Sequence, residues 1–153
     1  MSTHTAAIRW RQDEDDHFNL GRYTRVHEIA FDGGTTIQAS GAPGNVPAQF
    51  SSEVSVDPEE LFVSSLSSCH MLWFLDIARR AGVEVLSYED QAEGVMEQDG
   101  QGRTAITRVT LRPRVETDGD LSANQLTDLH AQAHDACFIA NSVKTVVAVE
   151  PVI

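Results

Sequence analysis

The 153-residue chain is long enough for one domain with a hydrophobic core, and its composition, 41% hydrophobic and 7% aromatic, is ordinary for a soluble globular protein. Its 23 acidic side chains against 11 basic ones give a formal net charge of −12, which would repel nucleic-acid phosphates and anionic lipid surfaces. We therefore expect a single domain over residues 1–153 with neither a nucleic-acid nor a membrane partner.

The beginning of the chain, MSTHTAAIRWRQDEDD, becomes polar and acidic where a secretory signal would be apolar. No window is expected to reach the length of a membrane span. These features predict a cytoplasmic protein. In a reducing compartment, the two cysteines, Cys69 and Cys137, are expected to pair transiently rather than as a permanent structural disulfide.

The first third of the chain is predicted to be a small antiparallel sheet. Residues 4–11 and 23–31 alternate in part between apolar and polar side chains and are rich in β-formers, and DGG at 32–34 is typical of a hairpin turn. Residues 41–56 contain glycines, prolines and serines, which indicate a loop that leads into a helix.

A long helix is predicted next. Asp57 serves as the N-cap, Pro58 occupies the first turn, Glu60 completes a capping box and Gly82 ends the helix. Apolar residues occupy every face over residues 61–78. A helix of this kind is expected to be central and covered on all sides.

The second half of the chain is predicted to contain a long hairpin and a second helix. VEVLSYEDQAEGVMEQ and RTAITRVTLRPRV flank the turn DGQG at 99–102. Ser122 and Gln125 form a capping box, and an amphipathic helix is expected to run to about Cys137. A further turn or two and a closing strand, TVVAVEPVI, complete the chain. The predicted fold class is α+β, with antiparallel sheets packed around two main helices.

Cys69 lies at the midpoint of the apolar helix and could be an inert packing residue, a metal ligand or a nucleophile. Buried cysteines are usually packing residues, but Cys137 at the end of the second helix could resolve a sulfenic acid. His130, His134 and Cys137 share one helical face and could bind a metal with Cys69, although isolated histidines on a polar helix are more often solvated. A cysteine hydrolase needs a histidine base, and His70 points about 100° away.

The segments DPEELFVSSLSSCHM and AHDACFIANSVKTVVAVEP together resemble the OsmC/Ohr family of hydroperoxide reductases. In that family an N-P-E-x-L segment begins a helix whose cysteine follows the Glu by ten residues, and a second cysteine ends a later helix. This chain has Asp57 where the family has Asn. The resemblance implies an intertwined homodimer in which Cys69 is peroxidatic and Cys137 is resolving, while Glu59 orients an arginine that stabilises the thiolate.

Two further expectations follow from this resemblance. Ten helical residues place Glu59 roughly 15 Å from Cys69, so an isologous dimer would bring Glu59 of one subunit to Cys69 of the other. The family places its arginine in the N-terminal β-region or ten residues before the Glu, where this chain has Gln49. Arg25 is therefore our first choice and Arg22 the second.

The resemblance implies a thiol-dependent peroxidase that reduces organic hydroperoxides through a Cys69–Cys137 disulfide. It implies no cofactor or metal, and an external dithiol, often lipoyl-bearing in the family, as reductant. His27 could line the site, and an apolar pocket for the organic group is expected from Phe62, Leu66, Leu72, Trp73 and Phe138. The alternatives are a non-catalytic small-molecule or metal-binding protein with His130, His134 and Cys137 as ligands, and, last, a metal-dependent hydrolase.

Overall fold

The computed structural model of the chain describes residues 1–152, which form two compact units, residues 1–61 and the residues from Phe62 onward. In the first unit, β1 (Ala6–Arg9), β2 (His27–Phe31) and β3 (Thr36–Ala39) form an antiparallel sheet in that order. The predicted turn is confirmed, since the Gly34 N–H donates to the Phe31 carbonyl at 3.0 Å. The expectation of a single domain over residues 1–153 stays a prediction, and its last residue lies outside the described range.

The helix α1 spans Pro58–Arg80, with the predicted signals at both ends. The Glu60 N–H donates to the Asp57 carboxylate at 2.7 Å, and the Asp57 N–H donates to the Glu60 carboxylate at 3.0 Å. Gly82 follows the helix with a φ of 77°, and the Val83 N–H then donates to the Ala78 carbonyl at 2.9 Å. Asp57 and Gly82 therefore end the helix as the sequence predicts.

The burial of α1 differs from the expectation. Within one chain only a stripe of residues spaced by four is buried, namely Leu66, His70, Phe74 and Ala78, while the side chain of Leu72 is 60% exposed. The prediction of a helix covered on all sides is thus not met within the residues described. By length and composition alone α1 could also cross a membrane, which corrects the expectation that no window is long enough.

The strands of the predicted hairpin form parts of two sheets in the second unit. Strand β5 (Glu93–Gln98) pairs with β6 (Thr104–Leu111) around the DGQG turn, and β4 (Val85–Asp90) pairs with β7 (Pro113–Thr117) as its continuation. The hairpin is interrupted where the Arg112 N–H donates at 2.6 Å to the side-chain carboxylate of Asp90, the last residue of β4, instead of to a backbone carbonyl. Strand β8 (Val146–Val149) adds to β6 in parallel, so this sheet is mixed rather than purely antiparallel.

The helix α2 spans Ala123–Ala136, with the predicted capping box at its start and Cys137 as its C-cap residue. Two cores hold the second unit together. One joins α1 to α2 through Phe74, Ala78, Leu129 and Ala133, and the other joins α1 to β6 through Leu66, Val109 and Leu111. The predicted α+β class with two main helices is confirmed.

Candidate active site

The fold brings the two cysteines together in the second unit. Cys69 comes from the middle of α1 and Cys137 from the end of α2, and the two thiols are close enough for Cys69 to raise the pKa of Cys137. Both thiols are free. The chain turns sharply after α2, which allows the Ala140 N–H to donate to the Cys137 sulfur at 3.5 Å. Two thiols 68 positions apart in sequence thus lie side by side.

The two thiols differ in environment. Cys137 is 1% exposed, whereas Cys69 is partly exposed. Burial is the main cause that raises the pKa of the Cys137 thiol to about 11, and the adjacent Cys69 raises it further. The hydrogen bond from the Ala140 N–H has the opposite effect and lowers this pKa. Cys137 is therefore a protonated thiol at neutral pH and a weak nucleophile on its own.

An apolar pocket of about 310 Å³ opens above Cys69. Leu72, Trp73 and Phe138 line it, and the Trp73 and Phe138 rings meet edge to face with centroids 5.2 Å apart. The other two predicted lining residues do not reach it, because Leu66 is fully buried and Phe62 packs against the core around Val109.

Asp76 also lines this pocket and was not predicted. It lies two helical turns after Cys69 and hence on the same face of α1. Its carboxylate contacts Arg79 at 2.8 Å and Arg80 at 2.5 Å. The hydrogen bond from Arg79, more than any other contact, lowers the pKa of Asp76. The seven-residue spacing from Cys69 was the sequence signal that could have identified it.

Glu59 lies in the first unit, and only one of its two carboxylate oxygens has a hydrogen-bond partner among residues 1–152. One oxygen accepts a hydrogen bond from the Asn45 amide at 3.0 Å. The other is buried and has no hydrogen-bond partner within residues 1–152. A buried carboxylate oxygen left without a donor is costly, so this atom is suited to receive a cationic partner.

Arg25, also in the first unit, is held by its own strand rather than by Glu59. Its guanidinium carbon lies 3.6 Å from the centroid of the Tyr23 ring, and the group donates to the carbonyls of Tyr23 and Gly21. Arg25 lines an apolar cavity of about 320 Å³, as does His27. Arg22 is exposed. The structure thus gives Arg25 the sheltered environment, and its assignment as the site arginine stays a prediction.

The histidines depart furthest from expectation. His130 is 2% exposed rather than solvated, and its Nδ1 lies 3.0 Å from Nε2 of His70, which is 1% exposed. Burial, followed by the charges of His130 and His134, lowers the pKa of His70 to about 4, and burial likewise lowers that of His130 to about 4. Because apolar residues occupy every face of α1 in the sequence, no sequence signal indicated that His70 faces the core.

The metal interpretation receives no support from this geometry. Among residues 1–152, no group of three or more His, Cys, Asp or Glu side chains is arranged to hold a metal ion. His130 lies against His70 and Cys137 lies next to Cys69, so these side chains are not grouped with His134 as the notional ligand set requires.

Comparison with known proteins places these features in a family. A family model described as OsmC-like protein matches residues 51–152. An OsmC-like protein of unknown function from Vibrio cholerae is 45% identical, with a TM-score of 0.97 over 99% of this chain and 100% of that chain.

More distant structures share the fold. The organic hydroperoxide resistance protein OhrB of Bacillus subtilis is 20% identical, with a TM-score of 0.72 over 99% of this chain and 98% of its own. An organic hydroperoxide resistance protein from Elizabethkingia anophelis is 17% identical, with a TM-score of 0.72 over 99% and 94%. Curated proteins give no match. The family match over most of the chain and the 45% identical relative show that this chain belongs to the OsmC-like family.

Proposed function

We propose that this protein is a thiol-dependent peroxidase that reduces organic hydroperoxides with Cys69 as the nucleophile and Cys137 as the resolving thiol. The observation that carries the proposal is the pairing of a partly exposed thiol in an apolar pocket with a buried thiol that lies next to it. A sulfenic acid formed at Cys69 would have its resolving partner already in contact. The hydroperoxide resistance proteins of the same fold support this direction.

The reaction would proceed in three steps. The Cys69 thiolate attacks the outer oxygen of the hydroperoxide, so that an S–O bond forms, the O–O bond breaks and the alkoxide leaves as an alcohol after taking a proton. The Cys137 sulfur then attacks the Cys69 sulfur, and the hydroxide leaves as water with the proton of the Cys137 thiol. An external dithiol reduces the resulting disulfide by exchange and is itself oxidised.

The pocket supports an organic rather than an inorganic peroxide as substrate. Leu72, Trp73 and Phe138 present apolar surface beside the Cys69 sulfur, which would bind an alkyl or aryl group and gain nothing from hydrogen peroxide. The raised pKa of Cys137 keeps that thiol protonated, so that Cys69 alone would meet the substrate.

Glu59 and Arg25 are proposed to complete the site in an intertwined homodimer. Glu59 precedes Cys69 by ten residues, about 15 Å of helical rise, which is too far for both to serve one site from a single helix. A two-fold related chain would bring Glu59 to the partner's thiol, with its free oxygen ready for a guanidinium. Arg25 would then stabilise the thiolate.

The test is consumption of cumene hydroperoxide in the presence of dithiothreitol. Replacing Cys69 by Ser should lower kcat/KM by about a hundredfold or more, because the alcohol is a far weaker nucleophile than a thiolate. Replacing Cys137 by Ser should leave the first turnover intact and let the Cys69 sulfenic acid accumulate, where dimedone would trap it.

The matched control is Ser68→Ala, which changes the exposed residue next to Cys69 on the same helix and should leave kcat/KM unchanged. Peroxide consumption that survives Cys69→Ser would refute the proposal. A wild-type protein that binds the hydroperoxide without consuming it would instead favour a non-catalytic binding protein.

A further inference from the structure

The second unit contains a buried pair of histidines beside the thiols. Nε2 of His70 on α1 and Nδ1 of His130 on α2 lie 3.0 Å apart, with the two rings inclined by only 8°. Phe74 stacks on the His130 ring with centroids 4.2 Å apart. This hydrogen bond links the two helices directly, and both partners are almost completely shielded from water.

The pair is not explained by stability. The remaining ring nitrogens, His70 Nδ1 and His130 Nε2, are buried and have no hydrogen-bond partner in residues 1–152. The nearby His134 also has its Nδ1 buried without a partner in the same range. Two apolar side chains of similar size would remove these uncompensated nitrogens at little cost or with a gain in stability. Such a pair instead restricts how two helices can pack.

Two contacts between α1 and α2 lie at different points along α2. Cys69 and His70 are neighbours on α1, yet their partners Cys137 and His130 are seven residues apart on α2. The contact made by Cys137 therefore lies seven residues along α2 from the hydrogen bond made by His130. Seven residues amount to about 10.5 Å of helix, so a swing of about 10° around His130 would move the Cys137 end of α2 by roughly 2 Å.

We infer that His70 and His130 are positioning residues that fix the Cys137 sulfur over the Cys69 sulfur for disulfide formation. A disulfide requires an S–S distance near 2.05 Å and a narrow range of dihedral angles, so an error of roughly 2 Å would prevent ready bond formation. Neither imidazole is assigned a contact with substrate. The inference rests on the proposed function only in taking the Cys69–Cys137 disulfide as the working bond.

The test measures that bond without any peroxide. Oxidised glutathione exchanges with the two thiols, so that the Cys69–Cys137 disulfide forms and two molecules of glutathione are released in reduced form. Mass spectrometry of the acid-quenched full chain gives the equilibrium constant. The double variant His70→Leu/His130→Leu should lower this constant about tenfold or more while its Tm stays close to that of the wild type.

Two further variants separate positioning from general packing. His70→Gln places an amide nitrogen near the position of Nε2 and should restore most of the equilibrium constant. Leu129→Ala loosens the same contact between α1 and α2, because Leu129 is only 6% exposed, but it leaves the hydrogen bond in place. It should lower the Tm and change the equilibrium constant less than threefold or so.

The outcomes distinguish the two proposals. An equilibrium constant that is unchanged in the double variant, or that falls equally in Leu129→Ala, would overturn the positioning role while leaving the peroxidase intact. A histidine-dependent disulfide in a protein that consumes no hydroperoxide would support the positioning role and refute the proposed function. Wild-type thiols that glutathione cannot oxidise would overturn the positioning role, while peroxide consumption would still decide the proposed function.

Discussion

At the scale of single residues, the two cysteines have the same chemistry but different surroundings. Cys69 opens to an apolar pocket, whereas Cys137 is 1% exposed and its thiol pKa is raised to about 11. The reactive species of a cysteine is the thiolate, so burial and a raised pKa both suppress Cys137. The structure thus places one accessible thiol, Cys69, next to one buried and protonated thiol, Cys137.

Alkylation should therefore distinguish the two thiols. At about pH 8 a thiol with a pKa near 11 is roughly one part in a thousand thiolate, so iodoacetamide should modify Cys69 at least tenfold faster than Cys137. Peptide mass spectrometry after partial alkylation measures the two rates. The variant Cys69→Ser serves as the control and should react slowly. Equal rates at both cysteines would contradict the difference in environment.

At the scale of elements, the ends of α1 are features that local sequence signals are sufficient to predict. Its capping box and its terminal glycine are formed by residues close in sequence, and each is present as predicted. Local signals do not determine which face of α1 is buried. The face with Leu66, Phe74 and Ala78 is buried because strands and α2 pack against it. An apolar sequence on every face could not identify that stripe.

Gly82 provides a test of the helix end. Its φ of 77° is a conformation that side chains with a Cβ adopt only with strain. We expect Gly82→Ala to lower the free energy of unfolding by about 1 kcal/mol, measured by urea denaturation. The control is Gly44→Ala, where an added Cβ meets open space and φ is not positive; it should change the free energy by less than about 0.5 kcal/mol. Equal effects would count against the role assigned to Gly82.

At the scale of the whole molecule, a single chain leaves apolar surface in water around the thiol pocket. Leu72 is 60% exposed and Phe138 is 67% exposed, although both lie beside Cys69. The chain also carries a net charge of −12, which opposes self-association at low salt. An apolar interface that forms despite this charge would be strengthened by salt.

We predict a homodimer, with a sedimentation-equilibrium mass of twice the 16.8 kDa of one chain. High salt should leave this mass unchanged or stabilise the dimer against dilution, because screening reduces the repulsion between two acidic chains. A monomer at all concentrations would remove the basis for a site shared between subunits. Dissociation by salt would indicate an interface held by charges instead.

The histidine pair predicts sensitivity of the folded state to acid. An unfolded histidine has a pKa near 6.5, whereas the pKa values of His70 and His130 are lowered to about 4. Between these values the unfolded chain binds more protons, so stability decreases as the pH falls, by at most about 2 kcal/mol for each histidine at about pH 5. Urea denaturation across this range measures it. The variant His70→Leu/His130→Leu should show a much flatter profile, and parallel profiles would contradict the assignment.

The sequence by itself determined the features that depend on neighbouring residues. The capping boxes at Asp57 and Ser122, the turn at 32–34 and the α+β class all follow from short-range patterns, and the motif around Cys69 indicated the family. Backbone hydrogen bonds at caps and turns are satisfied locally, so a few residues are enough to specify them.

Only the tertiary structure decided which distant side chains meet. The proximity of Cys69 to Cys137, the burial of His130 against His70 and the parallel pairing of β8 with β6 all join residues far apart in sequence. Each depends on how α2 packs against α1 and on where the chain returns to the sheet, and no local pattern encodes either. From the sequence, a histidine on a polar helix is expected to be solvated, and only the packing of the opposite helix shows that it has a buried partner.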